Sequence, residues 1–175
     1  MVPDLDLPRE AWAAHPRYPH NLLLLRSHDA FHAVGERLVA HARAGASRSA
    51  VLAVFAGWKA AMAGHEHYEE TKLYPFLEHR WGLRCDALAA GHRALAEADR
   101  AVRGAEASDL PAALATHHEV LTEHLDLEEA RVIPALLALS EAAFDVYTRG
   151  RLPDLLRDVP CYSDAGCRAC APQGE

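Results

Sequence analysis

One thirteen-residue pattern occurs twice in this chain, and it constrains the fold more than any other feature. The first copy runs from His65 to Leu77, the second from His124 to Leu136. In both, a His is followed four residues on by a Glu (Glu69, Glu128) and then by a second Glu (Glu70, Glu129). An aliphatic residue (Leu73, Val132), a Pro (Pro75, Pro134) and a Leu (Leu77, Leu136) follow at matching offsets. On a helix, residues i and i+4 lie one above the other on the same face. Each copy can therefore aim an imidazole and a carboxylate at one point. Two copies facing each other would build a two-metal site.

The sequence around the motifs reads as helix throughout. Half of the 175 residues are hydrophobic and only 7% aromatic, with Ala and Leu abundant, which favours helices over sheets. The length suits one domain with a sizeable core. A first helix is expected over about 19–44 and a second from Ser47 or Ser49, as cap, to about His79, kinked at Pro75. On the second, Val54, Trp58, Met62, His65, Glu69 and Phe76 are expected along one side. A turn at Trp81-Gly82 leads to a third helix over about 84–103. A fourth, capped by Ser108 or Asp109, is expected over about 110–139 with a kink at Pro134. The organisation expected is an irregular lead-in over 1–17, a bundle over 18–140, a short fifth helix over 141–157 and a tail over 158–175. The tail holds Cys161, Cys167 and Cys170, either reduced thiols or a zinc or redox group.

Each motif helix is preceded by a helix with one inward His: His28 before His65, and His92 before His124. The repeating unit is thus a helical hairpin, and two of them make an all-α, antiparallel up-down-up-down four-helix bundle. Six candidate ligands result: His28, His65, Glu69, His92, His124 and Glu128. Burying two His-Glu pairs in a bundle core is costly without a compensating partner, and a metal is the most economical one. Imidazole and carboxylate both suit iron, and a carboxylate can bridge two ions. Two histidines per ion with both Glu bridging leaves positions open for a small diatomic or peroxide.

Other chemistries find no support. The His-Glu-x-x-His zinc-protease motif lacks its second His at Glu69. Ferritin-like sites use Glu-x-x-His, a string this sequence does not contain. No Gly-rich phosphate loop is present. The net charge of -7 argues against nucleic acid as a partner. No apolar run is long enough to span a bilayer and the first residues do not read as a secretory signal, so a cytoplasmic protein with no membrane partner is expected.

The order His, His-x3-Glu, His, His-x3-Glu, with Glu-Glu and a Pro after each pair, resembles the hemerythrin-like, or HHE cation-binding, domain family over about residues 20–140. The resemblance implies a four-helix bundle with a non-haem di-iron centre. His28 and His65 would bind one iron and His92 and His124 the other, bridged by Glu69 and Glu128. Oxygen-carrying hemerythrins have a further His one turn after the third-helix His, where Ala96 stands here, and Glu97 is rotated by roughly 140° from His92. The more open site implied suits binding, sensing or consuming O2, peroxide or nitric oxide, whether or not as an enzyme; iron storage, delivery or sensing without turnover is the alternative. Glu66 is either a supplementary ligand or a solvated residue. His32, one turn after His28, is a substitute for it. His117 is expected to make a core hydrogen bond, and His15, His20, His41, His67, His79 and His118 to be solvated.

Overall fold

The computed structural model describes residues 8–12 and 14–149 of the chain. Residues 1–7, 13 and 150–175, which hold the tail cysteines and the end of the expected fifth helix, lie outside the described residues. A short α1 (Arg9–Trp12) stands within the expected lead-in, and α2 (Tyr18–Arg43) follows. Next come α3 (Arg48–Tyr68), a π-helical turn (Glu69–Leu73) and α4 (Tyr74–Trp81). The remaining helices are α5 (Asp86–Gly104), α6 (Leu110–Leu137) and α7 (Glu141–Arg149).

Local chemistry explains several of these boundaries. Ser47 caps α3, its hydroxyl accepting the Ala50 amide at 3.3 Å. Gly82 ends α4 at φ 66°, a left-handed conformation that costs glycine little. Asp109 occupies the N-cap of α6 but makes no side-chain cap hydrogen bond. Pro75 does not end the second long helix. Its ring would clash with the carbonyl four residues back in a regular helix, and the helix widens there instead: the Tyr74 amide reaches Glu69, five residues back. At Pro134, the matching position of the other motif, α6 runs on as α-helix to Leu137.

The long helices form an all-helical, antiparallel bundle, and the burial pattern shows how. One apolar cluster joins Phe31, Leu38, Phe55, Trp58, Met62, Leu95 and Leu121. A second joins Leu25, Leu73, Leu77, Leu88, Val132 and Ile133. Along α2 and α5 the chain passes from the second cluster to the first; along α3 and α6 it passes from the first to the second. Direction alternates from helix to helix, as up-down-up-down topology requires. Between the clusters lies one polar layer, crossed by every long helix: His28, His65 with Glu69, His92, and His124 with Glu128. One expected core position is different. Val54 is 40% exposed while Phe55 is fully buried, because the inward stripe of α3 runs Val51, Phe55, Trp58, Met62. No helix among the described residues is long and apolar enough to cross a membrane.

Away from that layer, His117 makes the hydrogen bond expected of it. Its ring packs on Phe55 and Trp58, with centroids 5.2 and 5.3 Å away. Its Nε2 donates to Asp99 Oδ1 at 2.8 Å, and Asp99 Oδ2 lies 3.3 Å from the buried Lys59 ammonium. Burial raises the Asp99 carboxyl, but His117 and Lys59 outweigh it and hold the group below the usual range. Its stabilising effect is therefore complete above the unfolded pKa of about 3.9, and is lost as pH falls through the lower folded value. Asp99→Asn is expected to cost about 1.5–3 kcal/mol at neutral pH. In urea unfolding followed by circular dichroism, the gap to wild type should shrink through that acidic window. A gap that stayed constant down to acid pH would mean that the Asp99 charge is not what holds His117.

Candidate metal centre

The polar layer is assembled from four helices, and its donors converge. One ligand atom each from His28, His65, Glu69 and Glu128 lies within 4.8 Å of all the others, and all four residues are buried. His65 Nε2 approaches Glu69 Oε1 at 2.6 Å, the i,i+4 pairing of the first motif. His28 Nε2 is 3.2 Å from His65 Nε2 and 3.5 Å from Glu128 Oε2. The other two imidazoles adjoin the same carboxylates from the opposite hairpin. His92 Nε2 is 3.4 Å from Glu69 Oε2, and His124 Nε2 is 3.9 Å from Glu128 Oε2. The His92 and His124 rings meet edge to face with centroids 4.6 Å apart. All six residues singled out in the sequence thus share one layer, with Glu69 and Glu128 between the two histidine pairs.

The electrostatics are those of a site short of positive charge. Both Glu side chains are fully buried. Burial raises the Glu69 carboxyl, yet His65 and then His92 pull it well below the usual range. Burial and the neighbouring Glu69 charge push Glu128 well above it. Two carboxylates this close out of water oppose each other's ionisation, and a cation between them would relieve that opposition. Burial lowers His28, and burial followed by His92 lowers His124 to about 3. His92 moves the other way: burial lowers it, but Glu69 and Glu70 raise it further.

Several of these polar atoms have no hydrogen-bond partner at all. They are both oxygens of Glu69, Glu128 Oε2, His92 Nε2 and His124 Nδ1. The one close approach to Glu69 is the ion-pair contact from His65 Nε2. Orphaned buried oxygens and nitrogens are rare and costly. The Glu69 and Glu128 oxygens and His92 Nε2 adjoin one another in a layer lined by imidazole and carboxylate, the donor set of a transition-metal cation. The residues present fit such an ion.

Three further residues touch the layer. Glu129 Oε1 accepts from His28 Nδ1 at 3.0 Å, and Arg9 clamps the other Glu129 oxygen. Glu70 Oε1 accepts from His92 Nδ1 at 2.8 Å. Tyr74, at the end of the π-helical turn, donates its hydroxyl to Glu128 Oε1 at 3.0 Å and stacks on His92. Sequence reasoning gave none of these a role at the centre. The repeated Glu-Glu was a signal for Glu70 and Glu129. Tyr74 had none, since its counterpart in the second motif is Ile133.

The ambiguous residues are also placed. His28, not His32, enters the cluster; His32 packs edge to face with His118 and lies 3.4 Å from Thr122 Oγ1. Glu66 is only partly exposed and bonds Lys59 at 3.3 Å rather than facing the other donors. His41, His67 and His79 are exposed as expected, whereas His15 and His118 are half-buried. His118 fills the space that Gly35 leaves by having no side chain.

A profile of the hemerythrin HHE cation binding domain matches residues 22–136. No curated protein and no solved structure matches the chain.

His124 depends on a glycine. A Cβ at Gly91 would stand 2.2 Å from His124 Nδ1, so the ring has its place only because that side chain is absent. By helix propensity alone, Gly91→Ala would stabilise α5 by about 0.5–1 kcal/mol. We expect the clash to win. The variant should keep its helical circular dichroism but bind less metal, read as metal per chain after loading and desalting. Wild-type metal content would show that His124 tolerates displacement or does not bind.

Proposed function

The chain belongs to the hemerythrin HHE cation-binding domain family, and on that premise we propose that it is a non-haem di-iron protein that binds, senses or consumes O2, peroxide or nitric oxide. The observation that carries this reading is the pair of fully buried carboxylates, Glu69 and Glu128, with three oxygens lacking hydrogen-bond partners between four imidazoles. His28 and His65 would hold one ion and His92 and His124 the other, with both carboxylates shared.

Bound iron would supply open coordination positions and the electrons that small oxygen and nitrogen species require. The protein's own part is positioning and exclusion of water. Phe31 closes over His65 edge to face, with ring centroids 5.2 Å apart, and wholly buried Leu73, Leu88 and Leu121 belong to the apolar clusters on either side. The Tyr74 hydroxyl orients Glu128, leaving its other oxygen aimed into the cluster. Glu129 and Glu70 fix the His28 and His92 rings so that Nε2 faces inward. On α5, the position where oxygen carriers have a further His is the exposed Ala96, which offers no donor. The His92 side is thus short of one protein ligand, which favours reaction with oxygen over reversible carriage.

Protein loaded with ferrous iron and desalted should retain about two ions per chain. Glu69→Ala and Glu128→Ala should each lose at least one. A single tightly held zinc, or no metal after loading, would refute the di-iron reading. Stopped-flow mixing of the reduced protein with oxygen should give oxidation rather than a lasting adduct. A long-lived adduct that returns to the reduced state when oxygen is removed would favour carriage. Iron that stays inert to oxygen, peroxide and nitric oxide would favour storage or delivery.

A further inference from the structure

We infer that the second Glu of each motif governs the metal position in the opposite hairpin, and that the two positions therefore fill in order, His28/His65 first and His92/His124 second. The inference rests on the metal-centre reading above.

Successive residues on a helix are about 100° apart, so the second Glu of each doublet cannot share the direction of the first. Glu128 faces the cluster, while Glu129 reaches sideways from α6 to Nδ1 of His28 on α2. Glu69 faces the cluster, while Glu70 reaches from the π-helical turn to Nδ1 of His92 on α5. Each doublet therefore serves the lone His of the other hairpin, and the arrangement is reciprocal. An ionised carboxylate only accepts, so in both cases Nδ1 carries the proton and Nε2 presents its lone pair inward. A carboxylate on the far nitrogen fixes the ring and makes it a better ligand.

The two contacts are alike in geometry and unlike in surroundings. The Glu129 side chain is 5% exposed, its His28 partner is wholly buried, and Arg9 holds its second oxygen. The Glu70 side chain is 49% exposed. A charge-assisted hydrogen bond shielded from water is stronger than the same bond at the surface. The donors differ in the same sense. His28 and His65 belong to the tight four-residue group with both carboxylates. His92 Nε2 and His124 Nε2 each adjoin one of these two carboxylates, at 3.4 and 3.9 Å. A divalent ion entering the metal-free protein meets a finished, buried position on one side and a looser, wetter one on the other.

The test is a cobalt(II) titration of the metal-free full-length chain, followed by its visible absorption. Wild type should bind in two resolved steps. Glu129→Gln should weaken the first step by about 10–100-fold and leave the second nearly unchanged. Glu70→Gln should weaken the second step alone, by less. If Glu129→Gln disturbs the fold, Arg9→Gln approaches the same bond from an exposed residue and should weaken the first step more mildly. Nitrogen-15 spectra of the zinc-loaded protein should show two Nδ1 protons shielded from exchange, and each Glu→Gln variant should shift one of them. Both variants weakening the same step, Glu70→Gln weakening the first, or neither changing either step would overturn the inference while leaving a two-metal centre standing. Wild type binding no cobalt at all would overturn the centre as well.

Discussion

Two carboxylates buried within reach of each other make the demand that the rest of this bundle meets. Glu69 and Glu128 have no solvent exposure, and three of their oxygens lack hydrogen-bond partners. Removing such groups from water costs several kcal/mol each unless charge is supplied in return. The neighbouring imidazoles supply part of that charge. A cation supplies the rest. Neither arrangement is possible on one hairpin alone, since each carboxylate has histidines from both hairpins beside it. The polar layer thus favours one alignment of the two hairpins: a slip by one helical turn would set Glu69 or Glu128 against Leu, Phe or Val with nothing to offset the charge.

The apolar clusters on either side carry the stability that the polar layer costs. Phe31, Phe55, Leu95 and Leu121 are wholly or almost wholly buried on one side; Leu73, Leu77, Leu88 and Ile133 are on the other. Each such side chain contributes about 1.5–3 kcal/mol on burial. The same clusters keep water out and so make every charge in the layer count for more. A second chain of polar groups, His117 to Asp99 to Lys59 to Glu66, runs from the core to the half-buried Glu66. It matches donors to acceptors and leaves no convergent set of orphaned atoms. That contrast separates a histidine that is merely satisfied in a core from histidines arranged around a cation.

The two hairpins repeat a motif without repeating a structure. Pro75 follows a π-helical turn, whereas Pro134 sits in continuous α-helix. π-helical turns often mark functional positions, and this one begins at Glu69 itself and ends beside Tyr74, whose hydroxyl binds Glu128. Glu129 is enclosed and clamped by Arg9, while Glu70 is half in solvent. An approximately symmetric sequence therefore yields a centre with a protected side and an accessible one.

Much of this was legible in the amino-acid order because it is local or periodic. A His and a Glu four residues apart share a helix face in any context, so the motifs announced their candidate ligands. The four- and three-residue spacing of Leu88, His92 and Leu95 marked His92 as inward, and Ser47 and Gly82 punctuated the helices by backbone chemistry alone. Other features depend on which helix lies opposite and how each is rotated about its axis. Adjacent residues such as Val54 and Phe55 differ by only about 100° of rotation, so packing alone decided which faced the core. The partners of Glu70 and Glu129, the arrival of Tyr74 at Glu128 and the reliance of His124 on Gly91 are contacts between helices remote in sequence. The sequence by itself determined the types of donor group, their spacing and the four-helix class. Tertiary packing decided which side of the centre is sealed, because burial is a property of neighbours and not of the residue that is buried.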